Sequence, residues 1–155
     1  MKLLVKRIFH LIYLEMLDRD RYIIFIMAPK SYGKYMNDEI LSRMKKLGLS
    51  SNLKGTEDGT HNCAVKDNNY VIEKLTKDNI IFSGSIRNGA VIYKFNVNID
   101  AINERGHAYS MVIDGKQCGN QYDGINIVVY DNDLKCIIDK ININTNSEEL
   151  KMQTY

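Results

Sequence analysis

The sequence predicts an α+β protein whose helices come early and whose second half forms mainly antiparallel β-sheet. Two apolar stripes with helical spacing lie in the first third of the chain, at residues 3–17 and 38–47. From Asn79 onward, apolar and polar residues alternate, as is typical of strands with one buried face. No linker rich in proline or glycine divides the 155 residues, so we expect a single domain spanning residues 1–155.

Residues 3–17 form the first predicted helix. Its apolar residues recur every three to four positions, so one face can be buried against a sheet. The apolar run at 22–28 follows and ends at Pro29. Because no polar residue interrupts this run, it predicts a strand that is covered on both faces.

Residues 38–47 form the second predicted helix. Asn37 is a suitable N-cap, Asp38 and Glu39 bring negative charge to the first turn, and Gly48 follows the last turn. Asp38 and Glu39 also resemble a pair of catalytic carboxylates, but neighbouring residues on a helix point about 100° apart. We therefore interpret both as capping groups.

The rest of the chain is predicted to be loop and strand. Residues 50–60 are polar and contain glycine, which predicts a loop. The dipeptide Asp114-Gly115 and the segment 131–133 carry turn residues between apolar runs, and each predicts a hairpin. Strands are predicted at 61–66, 69–75, 79–85, 93–100, 109–113, 125–130 and 136–143.

Charge and hydropathy exclude several classes of partner. With 21 Lys plus Arg against 19 Asp plus Glu, the net charge of +2 gives no electrostatic reason to expect nucleic acid or an anionic membrane surface. No stretch approaches the roughly 20 apolar residues of a membrane span. Charged residues interrupt the opening apolar run, so we expect no signal peptide and, by default, a cytoplasmic location.

The histidines and cysteines predict neither a metal site nor a cofactor. Three widely spaced cysteines, Cys63, Cys118 and Cys136, indicate free thiols. The nearest grouping, His61 and Cys63, provides two of the three or four ligands that zinc needs. The same pair leaves open a thiol nucleophile with its base, although the pattern favours a strand histidine and a buried cysteine, with no enzymatic activity.

Two segments resemble parts of the interleukin-like EMT inducer family. Residues 123–129 (Asp-Gly-Ile-Asn-Ile-Val-Val) are similar to a strand near the start of that family's domain. Residues 36–40 (Met-Asn-Asp-Glu-Ile) are similar to the start of a later helix that closes at Leu-Gly. The family's closing part stands here at 8–65 and its opening part at 78–150. The resemblance therefore implies a circularly permuted sandwich of two mainly antiparallel β-sheets with flanking helices.

The resemblance also implies a function. Members of the family are secreted signalling proteins and glycan-recognising modules, so it implies a non-catalytic, lectin-like module that binds a glycan. In a glycan-holding relative, a carboxylate after the hydrophobic strand and an arginine in the loop past the Leu-Gly helix end make the contact. This chain has Lys30 and Glu57 in those regions, with the charges reversed. The predicted ligand-binding residues are Lys30, Ser31, Tyr32, Glu57 and Asp58.

Two further expectations follow from the motifs. Gly124 and Asn126 match the family, and we expect both to serve turn geometry. The alternative function is a protein–protein interaction or assembly module of a surface or fibre-like structure. Exposed tyrosines would serve either function, because their rings stack on sugars and anchor partner chains. The candidates are Tyr32, Tyr35, Tyr109 and Tyr122.

Overall fold

The structure is a computed structural model, and it describes residues 12–17, 19–28, 36–50, 53, 60–68, 70–88, 91–100, 108–118, 124–145 and 151–154. Within these residues the chain is mostly β, with ten strands in two antiparallel sheets. The strands are β1 (Tyr22–Ala28), β2 (His61–Asp67), β3 (Tyr70–Thr76), β4 (Ile80–Asn88), β5 (Val91–Asp100), β6 (Ala108–Ile113), β7 (Lys116–Gln117), β8 (Ile125–Asp131), β9 (Cys136–Asn144) and β10 (Lys151–Thr154).

The two sheets differ in topology. The six-stranded sheet has the order β10-β9-β8-β1-β2-β3, so its central strands come from distant parts of the chain. The four-stranded sheet runs in sequence order, β4-β5-β6-β7, as a meander. All neighbouring strands in both sheets are antiparallel. The predicted pair of mainly antiparallel sheets is thus confirmed, in a chain whose described part is mostly β with few helices.

Strand β1 is covered on both faces, as its unbroken apolar sequence predicts. Ile24 and Ile26 point to one side and join an apolar cluster with the helical residues. Phe25 points to the other side and meets Phe95 of β5, with 5.4 Å between the ring centroids. Alternate residues of one strand therefore belong to two separate cores, one shared with the helices and one shared with the second sheet.

The helix Asp38–Lys46, here α1, confirms the predicted second helix. The Asn37 side chain accepts a hydrogen bond from the backbone N–H of Ile40 at 2.8 Å, and Gly48 has φ +93° just past the helix end. Ile40 and Met44 are buried against the six-stranded sheet. In the first predicted helix, residues 12–16 are helical, and residues 3–11 lie outside the described residues.

The predicted strands coincide with observed ones to within a few residues, whereas β7 and β10 were not predicted. Both are short, and the two residues of β7 are too few for a periodic pattern. In the described part of the chain, no helix is long and apolar enough to cross a membrane.

Candidate functional site

Buried polar side chains gather at one end of the six-stranded sheet, which we call the polar end. Because neighbouring strands are antiparallel, β1 and β9 finish here and β2 and β8 begin here. Six of the eight buried polar or charged residues in the described part of the chain lie at this end: Thr60, His61, Asn62, Asn126, Asn142 and Thr145. Buried polar groups are costly unless they are hydrogen-bonded, so their concentration here needs an explanation.

Two asparagines form a buried cross-strand pair at the polar end. Asn126 and Asn142 are directly opposite in β8 and β9, and the Asn142 amide donates to Asn126 Oδ1 at 3.1 Å. The Asn126 amide in turn donates to the carbonyl of Met27 in β1 at 3.3 Å. The expectation that Asn126 serves turn geometry is therefore wrong, because this residue lies inside a strand and links three strands by its side chain.

Gly124 does serve backbone geometry, as predicted. Its φ is +95°, a conformation that residues with a Cβ rarely adopt. A Cβ atom at this position would lie 2.3 Å from the carbonyl oxygen of Ile143. The glycine therefore allows the start of β8 to approach the end of β9 closely.

Asn62 and Glu73 connect the polar end to the segment that follows α1. The Asn62 amide donates to Glu73 Oε1 at 2.9 Å, while Glu73 Oε2 accepts from the backbone N–H and the hydroxyl of Ser50 at 2.9 and 3.0 Å. Asn62 Oδ1 and Thr145 Oγ1 are fully buried and have no hydrogen-bond partner within the described residues. These two oxygens are therefore hydrogen-bond acceptors that the described residues leave unsatisfied.

The five predicted ligand-binding residues, Lys30, Ser31, Tyr32, Glu57 and Asp58, lie outside the described residues. The structure does place the chain on either side of them. Ala28, two residues before Lys30, pairs with Asn62 in the ladder between β1 and β2. Thr60, two residues after Asp58, is the residue before β2. The described residues on either side of the two segments therefore lie together at the polar end.

Of the four exposed tyrosines predicted from the sequence, one lies within the described residues. Tyr32, Tyr35 and Tyr122 lie outside the described residues, and the backbone of Tyr109 lies in β6.

Cys63 is a buried structural residue, as the sequence favours. Its side chain belongs to the core between the two sheets. Burial raises the pKa of the Cys63 thiol to about 12, although the charge of Lys74 opposes the change. The thiol is therefore protonated at neutral pH and is a poor nucleophile.

The three cysteines do not form a disulfide with one another, as their spacing predicts. Cys63, Cys118 and Cys136 are all free, with Cys136 exposed. Among the described residues, no group of three or more His, Cys, Asp or Glu side chains is placed to hold a metal ion.

A cavity of about 420 Å³ opens at the end of the molecule opposite the polar end, between the β6–β7 hairpin and the β8–β9 hairpin. We call it the interhairpin pocket. The residues that give it its chemical character are Asp114, Lys116, Cys118, Lys135, Ile137 and Lys140. Its charged residues are three lysines and one aspartate. The half-buried Ile137 and the buried Cys118 also line it.

The turns beside the interhairpin pocket are fixed by local chemistry. Asp114 and Gly115 have φ values of 51° and 75°, which is the pattern of a type I′ hairpin turn. In the other hairpin, Asp131 Oδ1 accepts from the backbone N–H groups of Asp133 and Leu134 at 2.8 and 3.0 Å. Arg21 donates to Asp131 Oδ2 at 2.7 Å and holds this carboxylate from the neighbouring strand.

Sequence reasoning missed the interhairpin pocket. Its lysines are separated by 19 and 5 positions and follow no binding motif. The signal that was available is the Asp114-Gly115 turn with a lysine directly after it, which places Lys116 at a hairpin end.

No protein-family model, no curated protein and no solved structure matches the chain. The described part of the chain is mostly β, with two antiparallel sheets and few helices. Polar side chains are buried where four strands of the larger sheet begin or end.

Proposed function

We propose that this chain is a non-catalytic recognition module that binds carbohydrate at the polar end of the six-stranded sheet. The observation that carries the proposal is the pairing of Ala28 with Asn62. This pairing brings together the end of β1, two residues before Lys30, and the start of β2, which follows Glu57 and Asp58 in the sequence. The same end concentrates buried polar side chains, among them Asn62, Asn126 and Thr145.

The chemistry of Cys63 supports a non-catalytic role. The thiol-enzyme alternative needs a thiolate at Cys63, and burial favours the protonated thiol there. The same side chain packs among apolar residues of both sheets, so a core role accounts for it.

We infer further that the two sheets form a sandwich whose order in the chain is a circular permutation of the family arrangement. Support for the sandwich comes from the core that receives Phe25 from one sheet and Phe95 from the other. The permutation is tested by joining Tyr155 to Met1 through a short linker and opening the chain between Asn68 and Asn69, in the β2–β3 turn. A chain that folds with the parent's circular dichroism spectrum supports the permuted order, and one that does not fold counts against it.

The carbohydrate proposal is tested on a glycan array. The parent chain is expected to bind a defined set of glycans, and the Tyr32→Ala/Glu57→Ala variant is expected to lose that binding while its stability changes by less than about 0.5 kcal/mol. The matched control is Tyr70→Ala/Asp133→Ala, which removes an exposed tyrosine and an exposed carboxylate at the opposite end. A double variant that binds as well as the parent would move the site away from these loops.

The edge strand β3 favours the second candidate function, a module that assembles with other protein chains. Strand β3 lies at one edge of the six-stranded sheet, where β2 is its neighbour among the described strands. Its residues Tyr70, Ile72 and Leu75 are exposed. An exposed apolar edge strand is a surface on which another chain's strand can pair. In size-exclusion chromatography with light scattering, assembly through β3 predicts an oligomer that Ile72→Lys dissociates. Leu134→Lys, the same kind of substitution at a more exposed position in a turn, should leave the oligomer intact.

A further inference from the structure

Three lysines line the interhairpin pocket, and a different local backbone feature places each of them there. Lys116 follows the type I′ turn at Asp114-Gly115 and begins β7. Lys135 has φ 56° at the end of the β8–β9 turn, where its N–H donates to the carbonyl of Asp131 at 2.8 Å. The left-handed conformation is rare for a lysine and fixes the position at which this side chain leaves the backbone.

A β-bulge brings Lys140 to the same pocket. The register pairs Val129 with Asp139 but Tyr130 with Ile137, so Ile138 is an extra residue in β9. In a regular strand, residues 137 and 140 would lie on opposite faces, because side chains alternate. The bulge places both on the face toward the second sheet, and both line the pocket.

The lysines of the pocket have no ion-pair partner among the residues that the structure describes. In the part of the chain that the structure describes, Lys116, Lys135 and Lys140 form no ion pair, and Asp114 is the single carboxylate in the lining. Burial raises the pKa of the Cys118 thiol, and the nearby charges of Lys140 and Lys116 oppose this change. Two of the three charges therefore lie near this thiol.

We propose that the interhairpin pocket binds a small organic phosphate or sulfate ester. Three ammonium groups from three positions suit a tetrahedral oxyanion, whereas the pocket contains no arginine to form the bidentate pair that a planar carboxylate favours. The volume of about 420 Å³ falls in the range of sites for whole small molecules. Ile113 and Ile137 provide apolar surface for the rest of the ligand. This site is separate from the polar end and does not depend on carbohydrate binding there.

The test is a titration of the ¹⁵N-labelled chain with inorganic phosphate, inorganic sulfate, glucose 6-phosphate, glucose 6-sulfate and glucose. The pocket variant is Lys116→Gln/Lys135→Asn/Lys140→Met, in which asparagine tolerates the left-handed backbone and methionine keeps an apolar stem. The control variant, Lys45→Gln/Lys74→Gln/Lys94→Gln, removes three positive charges from exposed positions outside the pocket. The single variant Lys140→Met serves as a second pocket variant should the triple variant fail to fold.

The proposal predicts saturable shifts of backbone amides in the two hairpins with at least one ester, and no shifts with glucose. The pocket triple variant should weaken this binding at least tenfold, Lys140→Met should weaken it severalfold, and the control variant should bind as the parent does. Tighter binding of an ester than of its inorganic ion supports an organic ligand, and the ranking of phosphate against sulfate identifies the anion. Equal loss in the pocket and control variants, unchanged binding in Lys140→Met, absence of saturable shifts, or equal affinity for ester and ion would each overturn the proposal.

Discussion

The two ends of the six-stranded sheet use buried polar groups in opposite ways. The end opposite the polar end contains the β8–β9 turn, and we call it the turn end. There, both carboxylate oxygens of Asp131 accept hydrogen bonds, one from two backbone N–H groups and the other from Arg21. At the polar end, Asn62 Oδ1 and Thr145 Oγ1 are buried without a hydrogen-bond partner within the described residues. The first end is completed by local turn chemistry. The second leaves two buried oxygens without a partner in the described part of the chain, at the end where Ala28 pairs with Asn62.

Two glycines give the largest expected effect. Gly124 at the polar end and Gly115 in the β6–β7 hairpin both have positive φ, so alanine is strained at either position. At Gly115 a Cβ would meet no atom within 4 Å, and the cost should be the left-handed strain alone, about 1–2 kcal/mol. At Gly124 the Cβ would also meet the backbone of β9, so Gly124→Ala should destabilise by ~3 kcal/mol or more.

Urea unfolding followed by circular dichroism measures both glycine variants against the parent. Equal losses for Gly115→Ala and Gly124→Ala would contradict the close approach of β8 and β9 at the polar end. A Gly124→Ala chain that does not fold agrees with the larger expected cost.

The Asn126 and Asn142 pair gives the next effect. Asn126→Leu removes the acceptor of the Asn142 amide and leaves that amide buried, which should cost about 1–3 kcal/mol. Changing both residues to leucine removes the Asn142 amide as well as its acceptor, so the double variant should lose less than the sum of the two single variants. The free energies of unfolding of the four chains form the thermodynamic cycle. Strict additivity would mean that the two side chains do not depend on each other.

The fold could be predicted further than the site because the two depend on different signals. Strand β1 and helix α1 have patterns that arise from burial and capping of their own residues, and such patterns are readable in sequence. The pairing of Ala28 with Asn62 depends on which strands become neighbours, and Lys140 reaches its pocket through a bulge that shifts strand alternation. No local pattern encodes either feature. Asn126 was misread for the same reason, since its partners lie on two other strands.

Acidification should weaken the turn end selectively. Its hydrogen bond with Arg21 is the main cause that lowers the pKa of Asp131 below its ordinary value of 3.8. A carboxyl with a lowered folded-state pKa stabilises the fold above its unfolded pKa, and this contribution is lost as the pH falls through the folded value. Between pH 7 and pH 2, the urea midpoint of the parent should therefore fall more than that of Asp131→Asn, and most of the difference should arise below about pH 3.8. Parallel pH profiles for the two chains would show that the ionised carboxylate does not stabilise the turn.

The smallest effect concerns the reactivity of the thiols and leaves stability unchanged. Cys136 is exposed at the rim of the interhairpin pocket, whereas Cys63 and Cys118 are buried. One thiol per chain should therefore react with an aromatic disulfide under native conditions, and all three should react in denaturant. Because the pocket lysines attract anions, a dianionic disulfide reagent should lose rate in the Lys116→Gln/Lys135→Asn/Lys140→Met variant, while a neutral dipyridyl disulfide should react at the parent's rate. This dependence on the charge of the reagent should shrink as salt is added, since exposed charges are screened. Equal losses of rate for both reagents would indicate altered access to Cys136 and not an altered field.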